Sequence, residues 1–195
     1  MSEQRPAVLY LHGFNSSPDS RKAQQFKRFC ESRSTAQVLV PALPHHPAEA
    51  MVLLQELVER HRPVLLVGSS LGGFYATILA ESAGIKAALV NPAVRPCDHL
   101  GNAFHGLQRN LYTGEVWEFT PGHADALQAM TPARITLPER YLLLVQSGDE
   151  VLDYRLAVDF YAGCRLLLHE GGSHAFDNFS AVLPDILSFA GLLDL

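Results

Sequence analysis

Cysteine is scarce in this chain: its 195 residues hold three, Cys30, Cys97 and Cys164, at wide and unpatterned spacings. An odd number so placed makes no disulfide framework and suits a reducing compartment. Positive charge is thin as well. The 15 Lys and Arg stand against 20 Asp and Glu, a formal net charge of −5, with no basic cluster to neutralise a row of phosphates. A nucleic-acid partner is therefore not expected. No apolar run approaches the ~20 residues of a membrane span. The start, MSEQRP, passes directly into AVLYLH without the charged region, apolar stretch and cleavage site of an export signal. A cytoplasmic protein with no membrane partner is the expectation. Also missing are a Walker GxxxxGK[ST] loop, a dinucleotide GxGxxG and the zinc pattern HExxH. Nine histidines are present, but the adjacent pair His45 and His46 diverges, so no metal and no cofactor is expected.

What is present is a core. Hydrophobic residues make up 48% of the chain and charged ones 18%, enough at this length to bury roughly 70% of the unfolded surface. One domain over residues 1–195 is the natural size. Short, nearly continuous apolar runs lie at 7–11 (AVLYL), 38–40 (VLV), 64–67 (VLLV), 87–90 (AALV), 141–145 (YLLLV) and 165–169 (RLLLH). Runs without polar alternation are the pattern of strands buried on both faces. Between them, residues 20–30 carry Ala23, Phe26, Lys27 and Cys30 at helical spacing, and 48–60 carry Met51, Leu54, Leu57 and Val58. Later helices are expected at 71–82, 154–161 and 179–193, the last interrupted or delayed by Pro184. Alternating strand and helix means βαβ units: a three-layer αβα architecture around a mostly parallel sheet. Residues 92–137 break the rhythm, being rich in Pro, Gly, His and Asn with no clean strand, and read as an irregular insertion or lid.

The sharpest motif is Gly68-Ser69-Ser70-Leu71-Gly72, a GxSxG between the run VLLV and the helix that starts at Leu71. A serine on a strained strand-to-helix turn projects its hydroxyl above the sheet, and glycines two residues either side let neighbouring backbone pass. Serine is a weak nucleophile, so it needs a base and an acid that orients the base. Beyond YLLLV lies QSGDEV, with Asp149 as the favoured acid ahead of Glu150 and Asp153; Asp153 reads better as a helix N-cap. Beyond RLLLH lies EGGSHAF, with His174 as the base. All three candidates sit at carboxyl ends of strands, one edge of a parallel sheet. The oxyanion donors expected are the backbone N–H groups of Leu71 and of Phe14, in the loop after the first strand. His12 in that loop reads as structural. Within 92–137, Phe104, Leu107, Leu111, Tyr112, Trp117 and Phe119 are candidates to line an acyl pocket, and Arg95 a candidate to meet an anionic leaving group such as coenzyme A.

The blocks LYLHGFNSSP, VGSSLGGFYAT, LVNPAVRP, LYTGE, QSGDEVLDYR and EGGSHAF together cover nearly the whole chain. On them the sequence resembles the α/β-hydrolase superfamily and, within it, the YqiA-type small bacterial esterases. The resemblance implies a minimal α/β-hydrolase fold without the N-terminal antiparallel hairpin, hence about six or seven strands. It also implies a serine esterase acting on small-molecule carboxylic esters and acyl-CoA thioesters, with Ser70, Asp149 and His174 matching the family's catalytic positions. A peptidase or acyltransferase on the same residues, and a non-catalytic binding module on the same fold, are the alternatives.

Overall fold

The computed structural model describes residues 5–100 and 105–193. In chain order it comprises β1 (Ala7–Leu11), α1 (Arg21–Arg33), β2 (Gln37–Leu39), α2 (Pro47–His61), β3 (Leu65–Ser69), α3 (Leu71–Ala83) and β4 (Lys86–Val90). There follow α4 (Pro96–Leu100), β5 (Gly106–Arg109), β6 (Val116–Phe119), α5 (Pro121–Met130), β7 (Tyr141–Gln146), α6 (Tyr154–Phe160), β8 (Arg165–His169) and α7 (Leu183–Ala190). Six strands form one sheet in the order β2-β1-β3-β4-β7-β8, and every pairing in it is parallel.

The continuous apolar runs are explained by what lies on each side. Along the central strands alternate residues point to opposite faces. Leu9, Leu11, Leu66, Leu89 and Leu143 join a core with Leu54 of α2, Phe74 and Leu79 of α3 and Ala157 of α6. Val8, Tyr10, Val67, Val90 and Leu144 join a second core with Phe26 and Cys30 of α1 and Ile186 and Leu187 of α7. Both faces are covered, so neither alternation partner is polar. Pro184 falls in the first turn of α7, after a 3-10 turn at Phe179–Val182. That is the position where proline's missing N–H costs nothing.

Two expectations are corrected. RLLLH is the edge strand β8, not a strand buried on both faces: Leu166 is 40% and Leu168 is 45% exposed. An apolar run carries no mark of whether a neighbour lies beyond it. Residues 92–137 are not without regular structure either, since β5 and β6 pair as an antiparallel two-stranded sheet and α5 follows. The strands there are only four residues each, with half-exposed patterns, too short for periodicity to register. No helix among the described residues is long and apolar enough to cross a membrane.

Candidate active site

Ser70 stands between β3 and α3 with φ 55° and ψ −122°, a conformation disfavoured for a side-chain-bearing residue. The turn is held from several sides: Ser70 N–H donates to the Val90 carbonyl at 3.1 Å, and the Ser70 carbonyl accepts from Gly73 N–H at 2.9 Å and Ala93 N–H at 3.1 Å. The flanking glycines have a steric reason. A Cβ at Gly68 would run into the backbone of Gly72 and Gly73, and one at Gly72 into the carbonyls of Leu11 and His12.

Above the sheet edge the expected side chains meet. His174 Nε2 lies 3.0 Å from Ser70 Oγ, and His174 Nδ1 lies 3.0 and 2.9 Å from the two Asp149 carboxylate oxygens. The Asp149 side chain is 2% exposed. Burial pushes its carboxyl pKa up. The hydrogen bond to His174, backbone N–H bonds from Leu152 and Val151 and the charge of His174 more than reverse this and hold it below the usual carboxylate value. Glu150 does not compete for the ring: its Oε2 accepts from the His174 backbone N–H at 2.9 Å. Asp153 caps α6, accepting from Arg155 N–H at 3.0 Å.

The loop bearing His174 is strapped down by two buried amides that sequence reasoning missed. Asn91, just beyond β4, donates through Nδ2 to the carbonyls of Ser173 (3.0 Å) and His174 (3.2 Å), while its Oδ1 accepts from Gln146 N–H (3.0 Å). Gln146 accepts through Oε1 from Ser173 N–H (3.0 Å) and Asp177 N–H (2.8 Å) and donates through Nε2 to the Asp177 carbonyl (2.9 Å). A polar residue ending an otherwise apolar strand was the available signal.

Of the expected oxyanion donors, Leu71 opens α3, where a backbone N–H has no acceptor within the helix. The Phe14 loop lies against Ser70: a Cβ at Gly13 would be 3.2 Å from Ser70 Cβ. His12 is buried, and its Nε2 accepts from Leu43 N–H at 3.3 Å, which leaves Nδ1 to donate to the Gly13 carbonyl at 3.1 Å. Burial lowers its pKa, the Gly13 bond opposes this and His45 adds to it, so the neutral ring suits a structural part.

Ser70 and His174 open onto a cleft of about 650 Å³ walled in part by Phe14, Leu111, Tyr112 and Phe179. The β5–β6 segment is tied to the Phe14 loop: Trp117 Nε1 donates to Asn15 Oδ1 (2.8 Å), Leu111 N–H to the Asn15 carbonyl (2.8 Å) and Asn110 Nδ2 to the Ser16 carbonyl (2.9 Å). Leu111 and Tyr112 thus line the cleft as expected, but Trp117 lines a separate narrow recess, Phe119 is buried core and Leu107 is 78% exposed. Phe104 lies outside the described residues. Arg95 is exposed and is not part of the cleft wall; Arg21 and Lys22, at the start of α1, are its basic residues. No group of three or more His, Cys, Asp and Glu among the described residues is arranged to hold a metal.

The parallel sheet, its two helical layers and a strained serine turn after β3 define an α/β-hydrolase fold. Mouse alpha/beta hydrolase domain-containing protein 10 superposes with a TM-score of 0.76 at 14% identity, over 98% of this chain and 92% of that one. The esterase domain of a Rhodothermus marinus protein does so at 0.67 and 17% identity, over 97% and 88%. Within that class the chain belongs to the family described as Uncharacterised protein family (UPF0227), whose model matches residues 7–191. A UPF0227 protein of Serratia proteamaculans is 25% identical over 194 residues, 95% of this chain and 99% of its own.

Proposed function

We propose that the protein is a serine hydrolase of carboxylic esters and acyl thioesters. The observation that carries this reading is the continuous relay Asp149–His174–Ser70, with contacts of 2.9 and 3.0 Å. Ser70 Oγ attacks the substrate carbonyl as His174 Nε2 takes its proton, and Asp149 orients the ring and stabilises the imidazolium. The N–H groups of Leu71 and Phe14 receive the developing oxyanion. The tetrahedral intermediate collapses, His174 returns the proton to the departing alcohol or thiol, and an acyl-Ser70 ester remains. Water, deprotonated by the same His174, then attacks that ester and releases the acid and free Ser70. In this reading Leu111 and Tyr112, from the 92–137 segment, form part of the wall of the acyl cleft. The esterase domain among its structural neighbours agrees with such an activity.

A fluorophosphonate probe followed by peptide mass mapping tests the assignment. The label is expected on Ser70, and Ser70→Ala should lower ester turnover by about 10⁶ with unfolding close to that of the parent. Labelling on Ser69, or turnover that survives Ser70→Ala, would overturn it.

A further inference from the structure

The cleft beside Ser70 holds acidic and basic groups that are treated unequally. Its carboxylates are engaged by the protein: Glu150 accepts from His174 N–H, and Asp177 Oδ1 accepts from the Ser173 hydroxyl at 2.7 Å. The side chains of Arg21 and Lys22 make no hydrogen bond or ion pair among the described residues. Lys22 is half-buried, and burial pulls its ammonium pKa down to about 8 against the opposing pull of Asp149. A charge carried into a wall with no counter-ion in contact with it is a standing cost.

Tyr10 repeats the pattern on an independent side chain. It lines the same cleft from the end of β1, its ring against Phe26 at 5.7 Å, and it is 1% exposed. Its hydroxyl has no hydrogen-bond partner among the described residues, although buried hydroxyls almost always find one. Ser20, Arg21 and Lys22 bring the start of α1 into the same cleft wall, a helix of 13 residues with no acidic residue in its first turn and no side-chain cap from Ser20. A buried hydroxyl, an unpaired ammonium and an uncapped helix N-terminus share one complement, a ligand that accepts hydrogen bonds and carries negative charge.

We propose that this cleft selects ester substrates bearing a carboxylate or phosphate, which Lys22 Nζ and the Tyr10 hydroxyl bind while Ser70 attacks the ester carbonyl. The proposal names the substrate class for the hydrolase reading above and rests on it. Phe14, Leu111, Tyr112 and Phe179 enclose the apolar body of the same molecule.

Three esters test it: neutral p-nitrophenyl butyrate, the mono-p-nitrophenyl ester of glutarate with its anion on the acyl side, and 4-(butyryloxy)phenyl phosphate with its anion on the alcohol side. The quantity read is kcat/KM for each anionic ester divided by that for the neutral one. Lys22→Met should lower that ratio about tenfold, the scale of a charge-assisted hydrogen bond, for whichever anionic ester matches. The matching ester tells which side carries the charge. Tyr10→Phe should lower it less and raise the melting temperature, because an unpaired buried hydroxyl is removed. Arg95→Ala, at an exposed residue that does not line the cleft, should leave the ratio where it is. Glutarate or inorganic phosphate should also raise the melting temperature of the Ser70→Ala protein, and the rise should shrink when Lys22→Met is added. Ester cleavage that depends on Ser70, with ratios that Lys22→Met does not move, overturns the anion site and leaves the hydrolase reading intact. Anion binding that depends on Lys22 in a protein that cleaves no ester does the reverse.

Discussion

The two sides of the cleft are built on opposite principles. On the β7–β8 side, Asp149 is bonded to the His174 ring and to two backbone N–H groups, and the loop that carries His174 hangs from Asn91 and Gln146. On the β1–α1 side, among the described residues, the Tyr10 hydroxyl has no hydrogen-bond partner and the Lys22 ammonium no hydrogen bond or ion pair, and Leu111, in the adjoining β5–β6 loop, is 80% exposed. Satisfied groups hold one geometry, which proton transfer between Ser70 and His174 requires. Groups without partners are free to spend their hydrogen bonds on a ligand. On the proposed reading the contrast separates a rigid side for chemistry from a receptive side for recognition, and each can be tested without the other.

The largest effect belongs to the rigid side. Asp149→Asn should lower kcat by about 10⁴, since an amide leaves the imidazole in the wrong tautomer; steady-state kinetics on a neutral ester measures it. The substitution also removes an acid-limb contribution to stability. Because folding holds the Asp149 carboxyl below its usual pKa, its contribution is full above the unfolded value and is lost as pH falls through the folded one. Melting temperatures should therefore drop less steeply on acidification in Asp149→Asn than in the parent.

Asn91→Ala comes next. It orphans the Gln146 N–H and the carbonyls of Ser173 and His174, at a cost of about 1–3 kcal/mol of stability. With the base no longer pinned, kcat should fall by about tenfold or more, a loss of the size that slight misplacement brings, while KM changes little. A loss carried by KM instead would move Asn91 to the recognition side and blur the contrast.

The receptive side should respond to pH. Lys22 is cationic below about 8 and neutral above it, so the preference for an anionic ester should be present at neutral pH and decline as pH rises through that value. His174, Glu150, Asp177 and Arg21 face the same cleft, and their effects on the reaction itself cancel when the two esters are compared as a ratio at each pH. A flat ratio across this range would remove Lys22 from recognition.

The smallest effect is at Asp153, outside both sides. Asp153→Ala should cost about 1 kcal/mol through the lost α6 cap, read by thermal unfolding, with kcat little changed. A large fall in kcat would make Asp153 rather than Asp149 the acid.

Local chemistry made much of this protein legible in the amino-acid order. Strand-then-helix periodicity was enough for the parallel three-layer sheet, because strands buried on both faces lose polar alternation and helices covering them keep a 3.6-residue stripe. The turn at Ser70 was legible because only glycine tolerates the backbone approach at Gly68 and Gly72. Asp149 and His174 were legible because parallel strands end at one edge, so residues just past β7 and β8 had to lie near it. What the tertiary structure alone decided depends on which parts of the chain become neighbours. RLLLH has the composition of a central strand and lies at the edge because no strand among the described residues pairs beyond it. Asn91 and Gln146 look like ordinary strand-end amides until the 173–177 loop comes to rest on them. Arg95, just past β4, is the basic residue whose place near a strand end suggests the cleft, yet it is Lys22, in the first turn of α1, that the packing of α1 against Tyr10 of β1 puts in the cleft wall, with Arg95 outside it. Periodicity reports what a residue does to its own segment; burial and partnership are set by contacts between distant segments, which no local pattern encodes.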